Sequence, residues 1–162
     1  MSSRWFTLPL LAMVLAGCLP EQNNRSASTT PEMPVAPQMV ALGEALFNDT
    51  QLSSNQNQSC ATCHDKNVAF SDPDKTIPVS KGSVLGRFGT RNTPSIAYNA
   101  LTPTLAFNAA EGLWIGGLFL DGRVNTLEEQ AQKPFLNAVE MNNADVNEVI
   151  ARLRTSPTSN LF

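Results

Sequence analysis

The chain has 162 residues, with 11 Lys+Arg against 14 Asp+Glu and a formal net charge of −3. That length suits one domain of modest size, and the missing basic excess argues against a nucleic-acid partner. The mild acidity serves solubility first and a basic electron-transfer partner second.

The first residues are expected to lie outside the fold. Arg4 is a short positive region, and Trp5 to Ala16 is an apolar run too short to span a bilayer. It ends in Leu15-Ala16-Gly17-Cys18, which resembles the lipobox of bacterial lipoproteins. Residues 1–17 therefore read as a signal peptide, with cleavage before Cys18 and lipid attachment at that cysteine. An ordinary secretory signal with an incidental cysteine is the plainer alternative. Both predict a periplasmic protein, and the first holds it on a membrane without a span. Loss of Arg4, the leader's one charge, moves the formal net charge from −3 to −4. Residues 18–38 read as a disordered tether, because Glu21 to Gln38 is rich in Ser, Thr, Asn and Pro. The folded domain is expected over 39–162.

Pro37 to Phe47 has helical spacing, with Val40, Leu42, Leu46 and Phe47 available for a core and Asn48-Asp49 to end it. A polar loop from Gln51 to Ser59 leads into Cys60-Ala61-Thr62-Cys63-His64. This is C-x-x-C-H, the attachment signature of c-type haem. Two thiols about one helical turn apart can each bond a haem vinyl carbon, and the histidine is then carried beneath the iron. Structural zinc wants four Cys or His ligands, and Cys60, Cys63 and His64 are only three. A thioredoxin-type dithiol should follow a buried strand, whereas a loop precedes Cys60. The segment around Cys63 should be helical.

Ser71 to Thr93 is rich in Gly, Pro and Asp and reads as a long loop over the haem edge. Thr93-Pro94-Ser95 predicts a short helix with Thr as N-cap and Pro at its first position. Trp114 to Leu120 is apolar with two glycines and fits a short hairpin without demanding one. Thr126-Leu127-Glu128-Glu129 is a capping box, so a helix starts at Leu127, and Pro134 ends or kinks it. Ala144 to Arg154 places Val146, Val149, Ile150 and Leu153 at amphipathic helical spacing. Helices joined by long loops around one haem predict an all-α, cytochrome c-like domain.

Several blocks now stand in order: Leu42-Gly43-Glu44-Ala45-Leu46-Phe47, Leu52-Ser53, Ser59 to His64, Ser80-Lys81-Gly82, Arg91-Asn92-Thr93-Pro94-Ser95, Asp121-Gly122-Arg123, Leu127 to Ala131 and Glu140-Met141. From about Ala41 to Phe162 the chain resembles the N-terminal, peroxidatic haem domain of the bacterial dihaem cytochrome c peroxidase family. The resemblance implies one covalent haem c on Cys60 and Cys63, with His64 as its proximal iron ligand. It implies Glu140 and Gln130 as the catalytic glutamate and glutamine of the distal side. A carboxylate there can move a proton between the two peroxide oxygens, and an amide can hold the peroxide in line. The implied substrate is hydrogen peroxide, with electrons from a small cytochrome or copper protein. Arg87, Arg91 and Arg123 are candidates to neutralise haem propionates. Asn92 matches a residue near a calcium site that the family builds between two domains.

Two departures carry consequences. The family's aromatic residue before Asp-Gly-Arg, a tryptophan between two haems, is Leu120 here, and the nearest tryptophan, Trp114, is expected in the core. No second C-x-x-C-H follows, and the chain closes on Asn160-Leu161-Phe162, so a fragment or shortened product is expected. Peroxide reduction takes two electrons, so turnover should depend on a partner or be inefficient. With His64 as the single histidine, the distal face of the iron is expected to be open or water-bound. The alternatives are a maturase-type oxidase acting on a partner protein, a monohaem electron-transfer cytochrome, and a non-functional fragment.

Overall fold

The structure is a computed structural model and describes residues 36–162. The expected signal peptide, Cys18 and most of the expected tether lie outside the described residues. Helix α1 spans Pro37–Asn48, opening on proline at its first position. Asp49 ends it, and its carboxylate then accepts from Gln51 N at 2.9 Å and from Thr158 Oγ1 at 2.7 Å. One side chain therefore caps the 3₁₀ turn Thr50–Leu52 and ties it to the C-terminal turn Pro157–Leu161. Helix α2 is the single turn Cys60–Cys63 and packs against α1.

Helix α3, Leu127–Leu136, starts where the capping box predicts, with Glu129 N donating to Thr126 Oγ1 at 3.2 Å. It continues two residues past Pro134 before Asn137 turns the chain. Helix α4, Val146–Thr155, begins two residues after the Ala144 boundary because Asp145 caps it, accepting from Glu148 N at 2.9 Å. It packs on the Thr50–Leu52 and Pro157–Leu161 turns.

The all-α expectation needs correction. Strands β1, Ala106–Asn108, and β2, Leu113–Ile115, form an antiparallel hairpin. Phe107 faces Trp114 across it with ring centroids 5.6 Å apart, a cross-strand pair of the kind that stabilises hairpins. Gly112, at φ 68°, closes the turn by donating to Asn108 O. Trp114 is accordingly 67% exposed rather than in the core. The Thr93 helix is also absent. Thr93 Oγ1 contacts Ser80 Oγ instead of capping, and Ser95 Oγ donates to Ala69 O at 2.5 Å, so the stretch is held as an irregular segment.

The chain's own apolar core is thin. Among the described residues the buried hydrophobic side chains are Leu52, Leu118, Val124 and Met141, while eighteen large ones are exposed. Buried polar residues outnumber the apolar ones, Ser53 and Ser83 being nearly inaccessible. A domain of this make-up completes its core with a large apolar group or a neighbouring polypeptide. No described helix is long and apolar enough to cross a membrane.

Candidate functional site

The C-x-x-C-H turn is built by its own sequence. Thr62 Oγ1 accepts from Ser59 N at 3.0 Å, half of a capping box, and His64 N closes the turn on Cys60 O at 2.9 Å. Cys60 and Cys63 are half-buried and not bridged to each other. Burial pushes both thiols up. The Cys63 thiol reaches about 11, driven by burial and then by the Asp72 charge, against a hydrogen bond from Ser80. Such thiols stay protonated at neutral pH, the opposite of a reactive redox dithiol, whose thiolate must be stabilised.

His64 is oriented by the backbone. Its Nδ1 lies 2.9 Å from Phe70 O, where a ring N–H donates to the carbonyl. Nε2 then carries the lone pair and is the atom a metal would take. The carbonyl is aimed by two consecutive left-handed residues, Ala69 at φ 57° and Phe70 at φ 55°. Non-glycine residues hold that conformation only when their surroundings enforce it. Here Ser95 Oγ holds Ala69 O, Ile96 N reaches Phe70 O at 3.3 Å, and Phe47 packs edge-on against the Phe70 ring. This donor set fits a haem: two unbridged thiols one turn apart and an imidazole locked with Nε2 available.

Glu140 lies in the turn after α3. Asn137 Nδ2 donates to its Oε1 at 2.9 Å. Burial raises its pKa above the ordinary glutamate value, and the Asn137 hydrogen bond and the Arg123 charge oppose that rise. Glu140 O accepts from Ser83 N at 2.7 Å, and Ser83 Oγ donates to Asn57 Oδ1 at 2.8 Å in the run that leads into Cys60, so one residue links the Glu140 turn to the lead-in of the C-x-x-C-H helix. Gln130 sits half-buried in the first turn of α3, and no hydrogen bond links its side chain to Glu140.

The arginines already have partners. Arg91 Nη1 reaches Asp121 at 2.9 Å, and Arg123 Nη1 reaches both Asp121 oxygens at 2.7 and 2.8 Å while lying 3.6 Å over the Phe119 ring. Between them they hold the Asp121 carboxyl down to about 2. Arg87 donates to Ala138 O and Asn142 Oδ1. Asn92 lines an open cleft of about 360 Å³ with Asp72, Asp74 and Thr93. Among the described residues no group of three or more His, Cys, Asp or Glu side chains is arranged to hold a metal ion.

The family model for di-haem cytochrome c peroxidase matches residues 37–162. The chain belongs to that family. Membership implies c-type haem. The methylamine utilization protein MauG of Paracoccus denitrificans is 48% identical over 123 residues, covering 74% of this chain and 31% of MauG. The cytochrome c peroxidase Ccp of Escherichia coli is 37% identical over 139 residues, covering 85% of this chain and 26% of Ccp. The crystal structure of the diheme peroxidase BthA from Burkholderia thailandensis superposes with a TM-score of 0.71 at 35% identity, covering 77% of this chain and 31% of BthA. The cytochrome c-like architecture is therefore shared, and the chain spans under a third of the length of these relatives.

The sequence reading missed the left-handed pair at Ala69-Phe70 and the buried Ser83. The first left no signal, since neither residue type favours that conformation. The second had a faint one, in the run of Ser, Asn and Gln between Ser53 and Ser59 whose side chains need partners.

Proposed function

We propose that this chain is a haem c peroxidase domain that reduces hydrogen peroxide with electrons from a small periplasmic cytochrome or copper protein. One observation carries the reading: a half-buried carboxyl, Glu140, is joined through Ser83 to the run that leads into a C-x-x-C-H turn whose histidine is oriented for a metal. Cys60 and Cys63 would hold the haem through thioethers, and His64 Nε2 would bind its iron. The bound group supplies an iron that passes electrons singly and favours cleavage of the O–O bond.

The remaining work falls to the chain's own residues. Glu140 takes the proton from one peroxide oxygen and returns it to the other, a role that suits a carboxyl whose pKa lies nearer neutrality than an exposed one. Asn137 holds the carboxyl through Oε1. Gln130 would steady the peroxide by its amide. Each peroxide consumes two electrons and two protons and gives two waters. Both electrons come from the reduced donor, one at a time. Export follows from the thioether chemistry and the leader, with Cys18 as the anchor, and fractionation with and without Cys18→Ala tests that placement.

A second reading, an oxidase acting on a partner protein, draws on the higher identity to a protein named for methylamine utilization than to the Escherichia coli peroxidase. The test mixes the haem-loaded chain with hydrogen peroxide and a reduced small cytochrome. The proposal expects two donor molecules oxidised per peroxide. Donor oxidation no faster than with the haem-free Cys60→Ser/Cys63→Ser variant overturns it.

A further inference from the structure

We propose that Gly82 and Ser83 are positioning residues that set the separation between the Glu140 carboxyl and the C-x-x-C-H helix. The inference rests on the reading of Glu140 as the acid–base group. Residues 80–89 fold into a small closed loop, with Gly82 N donating to Arg87 O at 2.8 Å and Gly89 N to Ser80 O at 2.9 Å. The loop makes contact on two sides.

On the first side it meets the Glu140 segment, backbone against backbone. A Cβ at Gly82 would lie 2.7 Å from Val139 O and 2.9 Å from Val139 C, a distance real Cβ atoms do not reach. Ser83 N donates to Glu140 O at 2.7 Å. Arg87, paired with Gly82 across the loop, holds Ala138 O and Asn142 Oδ1.

On the second side it meets the run leading into Cys60. Ser83, 2% exposed, donates from Oγ to Asn57 Oδ1 at 2.8 Å and accepts from Asn55 N at 3.1 Å. Its carbonyl accepts from Asn55 Nδ2 at 2.9 Å and Asn57 Nδ2 at 3.0 Å. Gln58 Nε2 donates to Lys81 O at 2.5 Å. Ser54 N, in the same run, donates to Met141 O at 2.9 Å. The carbonyls of three residues around the catalytic carboxyl, Ala138, Glu140 and Met141, are thus all held by the loop or by the lead-in. A buried hub that touches both parties and belongs to neither fixes their distance. Reacting groups displaced by about 1 Å can lose as much as 10²-fold in rate, so such a hub acts on catalysis without touching substrate.

The test uses the haem-loaded full chain and two readouts, peroxide turnover and the association rate of cyanide. Cyanide arrives as HCN and must lose its proton to a nearby base, so its rate reports the Glu140 carboxyl without turnover. Glu140→Gln is the reference. Ser83→Ala and Gly82→Ala are expected to slow cyanide association and lower kcat by about tenfold, with KM and haem content unchanged. In the Glu140→Gln background Ser83→Ala is expected to add nothing. Leu85→Ala, at the fully exposed tip of the same loop, should match wild type in both readouts. Where Ser83→Ala fails to load haem, Asn57→Ala removes the Ser83 acceptor from the exposed rim and takes its place. Wild-type rates in the loop variants, or a full Ser83→Ala loss persisting beside Glu140→Gln, overturn the inference. A Glu140→Gln variant that itself behaves as wild type overturns the functional reading instead.

Discussion

Glu140→Gln should separate catalysis from stability. Glutamine keeps an oxygen for Asn137 Nδ2, which now donates to Glu140 Oε1 at 2.9 Å, and it keeps the side-chain volume. It removes the group that takes and returns a proton. General acid–base catalysis contributes roughly 10²–10⁴-fold. At about 1.36 kcal/mol per decade, kcat/KM should fall by about 2.7–5.4 kcal/mol of barrier. Stability should move the other way. Burial raises the Glu140 pKa in the folded state, so the folded chain binds that proton more tightly than the unfolded one. Stability contributed by this group is present below the ordinary glutamate range and is lost as pH rises through the raised value. At pH 7 the carboxylate is therefore a net cost, and Glu140→Gln should melt at or above the wild-type temperature. At pH 4, where wild type carries a neutral carboxyl, the advantage should vanish. Thermal melts at both pH values and steady-state peroxide turnover provide the two readings. A glutamine variant within about threefold of wild-type kcat/KM, or one clearly less stable at pH 7, refutes the reasoning.

Three further outcomes are expected. Arg123→Met removes a charge that lowers the Glu140 pKa, so the acidic limb of the turnover profile should move to higher pH, and a limb that stays put or moves down contradicts this. Ser53→Ala deletes a buried hydroxyl that donates to Thr50 O and accepts from Asn57 N and Gln58 N. It should cost about 1–3 kcal/mol in denaturant unfolding, and a change under about 0.5 kcal/mol would show that water replaces it. Ala69→Val forces a β-branched residue into the left-handed region behind His64. It should destabilise by more than about 1 kcal/mol, whereas Ala69→Gly should change stability by no more than about 1 kcal/mol, and equal effects would mean that Ala69 does not hold that conformation.

What the sequence made legible was local. The C-x-x-C-H turn, the Thr126 capping box and the spacing of Val146, Val149, Ile150 and Leu153 each rest on contacts within four residues, and each element stands near its expected place. What stayed hidden depends on partners far along the chain. Thr93 has the chemistry of an N-cap, but Ser80, thirteen residues earlier, takes its hydroxyl. The hairpin needs Phe107 to meet Trp114, and neither flanking run alternates long enough to announce a strand. Trp114 read as core because indole is usually buried, yet here it lies exposed on that hairpin. For the site, C-x-x-C-H was legible from spacing, and Glu140 only through the family's blocks. The carbonyl that orients His64 was not legible at all, since it is a backbone atom placed by two residues that seldom adopt its geometry.

Covalent haem on Cys60 and Cys63 is the claim on which the account turns. Intact-mass measurement of the denatured chain, matured in a host that attaches haem c, tests it most directly when paired with a pyridine haemochrome spectrum. One haem per chain that survives denaturation, with a thioether-type spectrum, and none in Cys60→Ser/Cys63→Ser, is the expected result. A chain of unmodified mass, or one with Cys60 and Cys63 joined in a disulfide, would contradict it.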